Sequence, residues 1–441
     1  MKKPGLQKTT GLFDRLFPSE YREDPKILKS IYLWLLIGLL IRFIIMPFAC
    51  HGDLLSTYHR SFLLLSEHDL QYLNPQEIIQ AVNLLIFSPF IPVKDFLIWG
   101  GSTSILEQLW LSSMENYSVF RTLFLLKIPY ILFDLATGFL LLYYFKSQIS
   151  HGVSALKFRL FNPITLFTFY IFSRHDAIAI FFIVLCILLL KNNRLFYAAL
   201  SLGIAIWSRN YAMLFVPVLL LLVKDDLKKI SLVLIGALSP LIVFNLFMKL
   251  LVNRIPSSEF ADSYFVEYFL AMKIDLVQMN QVIYIFFLLY FVLLFFILSL
   301  PLKNTEYTFT KYSLVILLIY YTTSTFSPQY FSWFIPFLTI IYAAKQDDLI
   351  ITLHSIQITS FMLYIFIYGA AVSTWLFVSI NPQAIISMQA PLDVLFEVFY
   401  REWPNIPFLN IFRTIFSAST IFMAFYLIKN DLGDFLCRTK N

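Results

Sequence analysis

Long apolar runs recur along this chain and restrict its fold more than any other feature. Many approach 20 residues, roughly the length at which a helix crosses the hydrocarbon core of a bilayer. Of the 441 residues, 59% are hydrophobic and only 14% are charged, so a soluble domain of this size would lack a polar coat. The sequence therefore predicts an all-α polytopic membrane protein.

Lys and Arg residues concentrate in the N-terminal tail and in every second connection between the apolar runs, whereas the other connections carry fewer. The positive-inside rule then places the N-terminus in the cytoplasm and Asp53 on the opposite, outer side of the membrane. We predict about 12 transmembrane helices, several of them too short to cross a bilayer unaided. They cover residues 31–48, 121–145, 160–172, 177–190, 195–208, 211–223, 230–251, 281–300, 312–326, 329–344, 349–378 and 409–428.

These spans organise the chain as one transmembrane domain. The polar N-terminal tail lacks the apolar core of a cleavable signal peptide, so we expect the first span to remain as an anchor. An apolar stripe that includes Leu55, Tyr58 and Phe62, followed by Asn74-Pro75 as a helix start, predicts two juxtamembrane helices in the outer loop. The segments of the domain 1–441 are a cytoplasmic tail (1–29), that outer loop (49–119), a membrane module (120–344) and variable C-terminal spans (345–441).

Asp53 directly follows the first predicted span, and two interpretations of it stay open. A carboxylate at the membrane surface could act as a catalytic base. Alternatively, Asp53 could simply cap the N-terminus of the following helix, a role worth about 1 kcal/mol. His51 is either a second polar group of the same site or an interfacial histidine.

Four short predicted spans between residues 160 and 223 suggest a cavity cut into the outer leaflet. Arg174, Asp176 and Arg209 lie at the outer ends of these spans, where ionisable side chains either pair or line a cavity. Arg174 and Asp176 could close a tight turn or face a ligand. Arg209 could extend to the membrane interface, or its fixed fork of donors could bind a phosphate.

Three further polar residues of the predicted spans carry weaker signals. Gln329 and Tyr330 begin an outer span, where an aromatic belt is ordinary, but both side chains also suit the lining of a site for hydroxyl-rich ligands. Asp134 lies within the second predicted span and needs a partner, because an isolated acid there costs about 2.5–3.5 kcal/mol. We expect a structural bond at Asp134 rather than catalysis.

Several classes of function find no support in the sequence. Cys50, Cys186 and Cys437 show neither the number nor the spacing of a disulfide framework or a zinc site. The sequence contains no phosphate-binding glycine loop, zinc-protease motif or Ser-His-Asp signature. The net charge of +6 falls in membrane loops rather than in a basic, aromatic-rich patch for nucleic acid. We expect no cofactor, and no metal either because Asp53 is a single loop carboxylate.

Several short motifs nevertheless occur together in a recognisable order. They are His51-Gly52-Asp53, Lys127-Ile128-Pro129 with Phe133-Asp134, Phe161-Asn162-Pro163, Arg174-His175-Asp176-Ala177-Ile178, and Pro328-Gln329-Tyr330 with Trp333 and Pro336. Over residues 41–344 the chain resembles the GT-C superfamily of polytopic glycosyltransferases, in particular the mannosyltransferase-like branch that includes the catalytic subunit of the first GPI mannosyltransferase. Two departures are Gly52-Asp53, where some relatives have Asp-x-Asp, and Arg209, where many have Lys.

The resemblance implies a GT-C type helical bundle that uses a polyprenyl-phosphate sugar as donor and works among membrane lipids. We expect an inverting transfer of a hexose, with mannose as the first candidate, to a glycan or glycolipid acceptor on the extracytoplasmic side. The site residues that the resemblance implies are Asp53 as catalytic base, Arg209 and Arg174 at the donor phosphate, and His51, Asp176, Gln329 and Tyr330 as cavity lining.

Two other functions stay open on the sequence alone. A transporter or flippase of lipid-linked sugars would also need a polar cavity among many spans, although transporters usually show two related halves and this chain does not. A non-catalytic subunit of a glycosylation complex would keep the fold with a degenerate site. The C-terminus carries no endoplasmic-reticulum retention signal, which favours a prokaryotic plasma membrane over the endoplasmic reticulum.

Overall fold

The computed structural model describes residues 17–70, 73–91, 114–252, 269–276, 281–301, 305–368, 372–388, 394 and 408–438. Most of these residues are helical. The α-helices are α1 (Ser19–Arg22), α2 (Pro25–Ile45), α3 (Gly52–Ser66), α4 (Pro75–Phe87), α5 (Val119–Leu126), α6 (Ile128–Tyr144), α7 (Ile149–Phe161), α8 (Pro163–Leu166), α9 (Asp176–Lys191), α10 (Leu195–Ser208), α11 (Val216–Leu221), α12 (Leu227–Val252), α13 (Ile285–Ser299), α14 (Thr305–Thr323), α15 (Ile335–Lys345), α16 (Asp348–Tyr364), α17 (Pro382–Ser387) and α18 (Phe408–Arg438).

Four helical segments among the described residues are long and apolar enough to cross a membrane. They are Pro25–Ile45, Val119–Tyr144, Leu227–Leu250 and Asn410–Phe435. In the first and third, only 17% of the most apolar window is buried inside the protein, so most of their apolar surface is available to lipid. The described helices thus support a helical membrane protein, while the total of about 12 spans stays a prediction.

The structure departs from the all-α prediction at one described place. Strands β1 (Lys273–Leu276) and β2 (Gln281–Tyr284) pair in antiparallel fashion directly before α13, with Lys273 opposite Tyr284. Polar and apolar residues alternate in the first strand, and β-branched and aromatic residues dominate the second, as strands require. The predicted span 281–300 consequently becomes helical only at Ile285.

The boundaries of the predicted spans agree with the observed helices at some places and differ at others. The span 195–208 coincides with α10, whereas the helix within the span 160–172 starts only at Pro163, because α7 ends at Phe161, and continues as a π-helix to Ile171. The Asn162 side chain accepts a hydrogen bond from the backbone N–H of Ile164 (3.0 Å), and Pro163 occupies the first helical position. An N-cap followed by proline starts a new helix, so the chain changes direction here.

The helices pack in two groups that meet at α9. In the first group α6, α9, α10 and α12 lie side by side, and in the second α18 contacts both α14 and α16. Gly203 of α10 lies so close to α12 that an added Cβ would come within 2.6 Å of the Ala237 carbonyl oxygen. Small residues at helix contacts allow this close approach in membrane proteins.

A buried charged cluster joins α2, α6 and α7. Arg42 donates to Asp134 Oδ2 through Nε (3.0 Å) and Nη2 (2.8 Å), and Arg159 Nε donates to Oδ1 (2.9 Å). The Tyr170 hydroxyl adds a hydrogen bond to Oδ2 (2.8 Å). Asp134 therefore has the structural partners that the sequence led us to expect. One of them, Arg159, is fully buried, although the predicted span boundaries place it in a connection.

Replacing Asp134 by Asn would leave two guanidinium groups buried beside a neutral amide. We expect the free energy of unfolding to fall by about 3–5 kcal/mol, seen as a lower midpoint of thermal unfolding of the purified protein in detergent. Asp226→Asn is the matched control, because Asp226 makes exposed contacts, an ion pair with Lys229 (3.3 Å) and a hydrogen bond from the Lys229 backbone N–H (3.2 Å), and should matter far less. Equal midpoints for the two variants would contradict the structural role of Asp134.

Candidate active site at one end of the helical bundle

The connection that follows α2 is fixed by residues far away in the sequence. The buried ammonium group of Lys127, between α5 and α6, donates hydrogen bonds to the carbonyl oxygens of Met46 (2.7 Å) and Ala49. The Ser379 hydroxyl donates to the Phe48 carbonyl oxygen (2.9 Å). A cation suits this position because carbonyl groups at a helix C-terminus carry partial negative charge. The start of α3 is thereby held in one place.

His51, rather than Asp53, is the N-cap of α3, so the capping interpretation of Asp53 is wrong. The His51 Nδ1 atom accepts a hydrogen bond from the backbone N–H of Asp53 (3.2 Å), and the His51 ring stacks on Phe172 with 3.9 Å between ring centres. The Asp53 carboxylate is free to make other contacts. Its Oδ2 atom lies 3.1 Å from His51 Nδ1 and 2.5 Å from Arg174 Nη1, and the side chain is 32% exposed.

Irregular backbone presents Arg174 to this carboxylate. Residues Phe167–Ile171 form a π-helix, and Ser173 adopts a left-handed conformation with φ of 68°. The backbone N–H of Arg174 donates to the Thr168 carbonyl oxygen (2.9 Å), which closes the turn before α9. π-helical turns and left-handed non-glycine residues are both concentrated at functional sites, where the surrounding structure maintains the strain.

Carboxylates and guanidinium groups alternate from Asp53 onward, and we call Asp53, Arg174, Asp176 and Arg209 the charge chain. Arg174 Nε lies 3.3 Å from Asp176 Oδ2. Arg209 Nη2 donates to the same oxygen (3.1 Å), and Arg209 Nε lies 3.0 Å from Oδ1. Asp176 is fully buried, whereas 18% of the Arg209 side chain is exposed. The charge chain thus connects the start of α3, the start of α9 and the end of α10.

An aromatic stack borders the charge chain. The Trp333 indole N–H donates to Asp176 Oδ1 (2.8 Å), and its ring stacks on Tyr211 (3.9 Å) and on Tyr330 (4.4 Å between ring centres). The Arg174 guanidinium carbon lies 5.9 Å from the centre of the Tyr330 ring. Gln329 precedes Tyr330 in the same 3-10 helix and is buried, and its side-chain oxygen accepts no hydrogen bond among the described residues.

The electrostatics of the site hold Asp53 ionised and His175 neutral. Burial alone would raise the pKa of Asp53, but the Arg174 guanidinium outweighs this effect, so the pKa of Asp53 lies well below the usual range. Burial, reinforced by the charges of Arg209 and Arg174, keeps the pKa of His175 well below its usual range. The His175 Nε2 atom has no hydrogen-bond partner among the described residues.

The structure brings most of the residues implied by the sequence into one group of contacts. His51 and the four residues of the charge chain touch in series, and Tyr330 joins them through Trp333. Gln329 is placed beside this group without a described contact to the charge chain. In the sequence Trp333 appears only as part of the motif with Pro328-Gln329-Tyr330, and its bond to Asp176, 157 positions away, has no local signal.

Two further findings bear on the chemistry of this site. In the part of the chain that the structure describes, no group of three or more His, Cys, Asp and Glu side chains is arranged to hold a metal ion. Comparison with protein-family models, curated proteins and solved structures gives no match. The residues themselves offer a partly exposed carboxylate that can accept a proton and two guanidinium groups that can bind phosphate oxygens.

Proposed function

We propose that this chain is an integral membrane glycosyltransferase of the GT-C type, with about 12 spans and its site at the extracytoplasmic end. It transfers a hexose, with mannose as the first candidate, from a polyprenyl-phosphate donor to a lipid-linked or glycan acceptor. The observation that carries this proposal is the contact between Asp53 and Arg174. It places a partly exposed carboxylate beside a guanidinium group that a donor phosphate can bind.

In the proposed reaction the acceptor hydroxyl oxygen attacks the anomeric carbon of the donor sugar, and the bond from that carbon to the phosphate oxygen breaks. The hydroxyl proton passes to Asp53, and the bonding electron pair leaves with polyprenyl phosphate. The phosphodiester carries one negative charge and the released monoester up to two, so Arg209 and Arg174 stabilise the transition state more than the ground state. A single displacement inverts the anomeric configuration.

Donor binding and base strength are coupled in this proposal because both involve Arg174. A carboxylate paired with a guanidinium is a weak base, and the pKa of Asp53 is accordingly low. A donor phosphate competes with Asp53 for the Arg174 guanidinium, which Asp176 continues to hold through Nε. The competition raises the pKa of Asp53 toward the range in which a general base is effective.

Asp53→Asn preserves the shape of the side chain and removes the base. With purified protein in detergent, we expect transfer from tritium-labelled polyprenyl-phosphate mannose or glucose to membrane glycolipid extracts to fall by about 10²–10⁴-fold. Donor binding should be unchanged or tighter, because Arg174 has lost its anionic competitor.

Glu67→Gln is the matched control for Asp53→Asn, because Glu67 is an exposed carboxylate at the end of α3 and should leave transfer intact. Near-normal turnover of Asp53→Asn would contradict the base assignment. Detergent provides no sealed compartment, so a transporter or a non-catalytic subunit would form no glycosidic product even as the wild-type chain.

Arg174→Gln tests the coupling through the pH dependence of kcat/KM. Removal of this cation takes away the largest effect that opposes burial, and burial raises the pKa of Asp53. The pKa of the free enzyme's base should rise, so the acid limb of kcat/KM, measured on the residual activity, should move to higher pH. The exposed Arg121→Gln variant should keep the wild-type profile. Coincident acid limbs for Arg174→Gln and wild type would refute the coupling.

A further inference from the structure

Helix α4 buries polar residues together with Ala81 and Leu84, whereas its exposed surface is apolar. Glu77, Gln80 and Asn83 recur at a spacing of three residues and are all buried, whereas Leu85 and Ile86 are each 62% exposed. An amphipathic helix on a water-soluble protein has the opposite arrangement. The apolar surface suits hydrocarbon, and the polar surface faces other helices.

The neighbouring helices provide hydrogen-bond partners for only some of the polar side chains on this surface of α4. Helix α4 packs against α3, α5, α6 and α10. The Asn83 amide donates to the Leu125 carbonyl oxygen of α5 (3.0 Å), and Glu77 Oε1 lies 3.6 Å from Arg60 Nη1 of α3. Gln80 lies between them and is 1% exposed, yet neither its amide oxygen nor its amide nitrogen has a hydrogen-bond partner among the described residues. A buried polar group without a partner destabilises the folded protein, so a ligand that supplies the missing hydrogen bonds is favoured.

Two more buried polar atoms extend this surface toward the charge chain. The Tyr130 hydroxyl of α6 and the His175 Nε2 atom also have no hydrogen-bond partner among the described residues. Tyr130 shares a buried cluster with Leu84 of α4 and with Ala177, which lies two residues after His175 at the start of α9. The charges of Glu77 and Arg174 both act on Tyr130, and those of Arg60 and Asp53 both act on His175. Both residues therefore lie near the polar surface of α4 and near the charge chain.

We propose that Gln80, Tyr130 and His175, bordered by Arg60 and Glu77, form a second subsite that binds a saccharide through its hydroxyl groups. An amide, a phenol and a neutral imidazole offer both donors and acceptors, which matches hydroxyl groups that also do both. A phosphate would meet the Glu77 carboxylate, and a lipid chain would leave every one of these polar atoms unsatisfied. The assignment of this saccharide as the acceptor rests on the proposed function, whereas its binding does not.

The test is a titration of the full-length chain in lipid nanodiscs with methyl α-mannoside and methyl α-glucoside, followed by calorimetry. We expect saturable binding of at least one glycoside to the wild type. Gln80→Leu should weaken that affinity about tenfold or more, because a ligand hydroxyl loses its partner. Its midpoint of thermal unfolding should stay the same or rise, since the substitution removes a buried amide without partners.

Asn83→Leu is the matched control, one turn further along the same surface. It removes the hydrogen bond to Leu125 and should lower the unfolding midpoint while leaving glycoside affinity unchanged. Absence of saturable binding to the wild type, or wild-type affinity in Gln80→Leu, would overturn the subsite.

The proposed function and the subsite can fail separately. Loss of glycoside binding in Gln80→Leu without any transferase activity in the wild type supports the subsite and refutes the proposed function. Transfer that depends on Asp53, together with wild-type glycoside affinity in Gln80→Leu, supports the proposed function and refutes the subsite.

Discussion

A charge buried in an apolar helical bundle requires a close partner, because transfer from water costs several kcal/mol that only pairing and hydrogen bonds offset. Asp134 meets this requirement with two arginines and a tyrosine, and its bonds tie α2 to α6 and α7. Lys127 meets it with backbone carbonyl groups at the end of α2. The contacts of Asp134 and Lys127 fix the position of the end of α2 and therefore the position of the start of α3.

Asp53 differs from the other acids of the bundle in how its charge is compensated. Asp176 is enclosed by Arg174, Arg209 and Trp333 and has no exposed surface. Asp53 shares Arg174 with it and is the only residue of the charge chain whose carboxylate is substantially exposed. The Arg174 guanidinium lies between the buried carboxylate of Asp176 and the partly exposed carboxylate of Asp53. Another anion can therefore replace Asp53 as its partner. This exchange of anions at Arg174 is the step through which donor binding activates Asp53 in the proposed reaction.

The elements that contribute to the site begin or end irregularly. A π-helix and the left-handed Ser173 precede α9, and 3-10 helices cover Asn210–Phe215 after α10 and Pro328–Phe334 before α15. Backbone of this kind is tolerated within an apolar bundle where it is buried in protein or lines a polar cavity. The irregular segments leave polar side chains at one end of the bundle.

Local patterns in the sequence predict part of this arrangement. Composition gives the helical membrane class, the apolar run 195–208 gives α10, and an acid within a span predicts the partners of Asp134. The position of Arg174 beside Asp53 depends on the break at Asn162-Pro163, which the apolar pattern conceals.

Other features of the site cannot be predicted from the sequence, for different reasons. The bond between Trp333 and Asp176 is a long-range contact that no local pattern encodes. The polar surface of α4 does have a local signal, the three-residue spacing of Glu77, Gln80 and Asn83, but only packing reveals that it faces inward.

The most direct test of this account is a structure of the chain with a non-hydrolysable polyprenyl-phosphate sugar analogue, determined by cryo-electron microscopy in nanodiscs. The account predicts phosphate oxygens within hydrogen-bond distance of Arg174 and Arg209, and an Asp53 carboxylate separated from Arg174 and directed at the anomeric carbon. An analogue bound elsewhere, with the 2.5 Å contact between Asp53 and Arg174 intact, would contradict it.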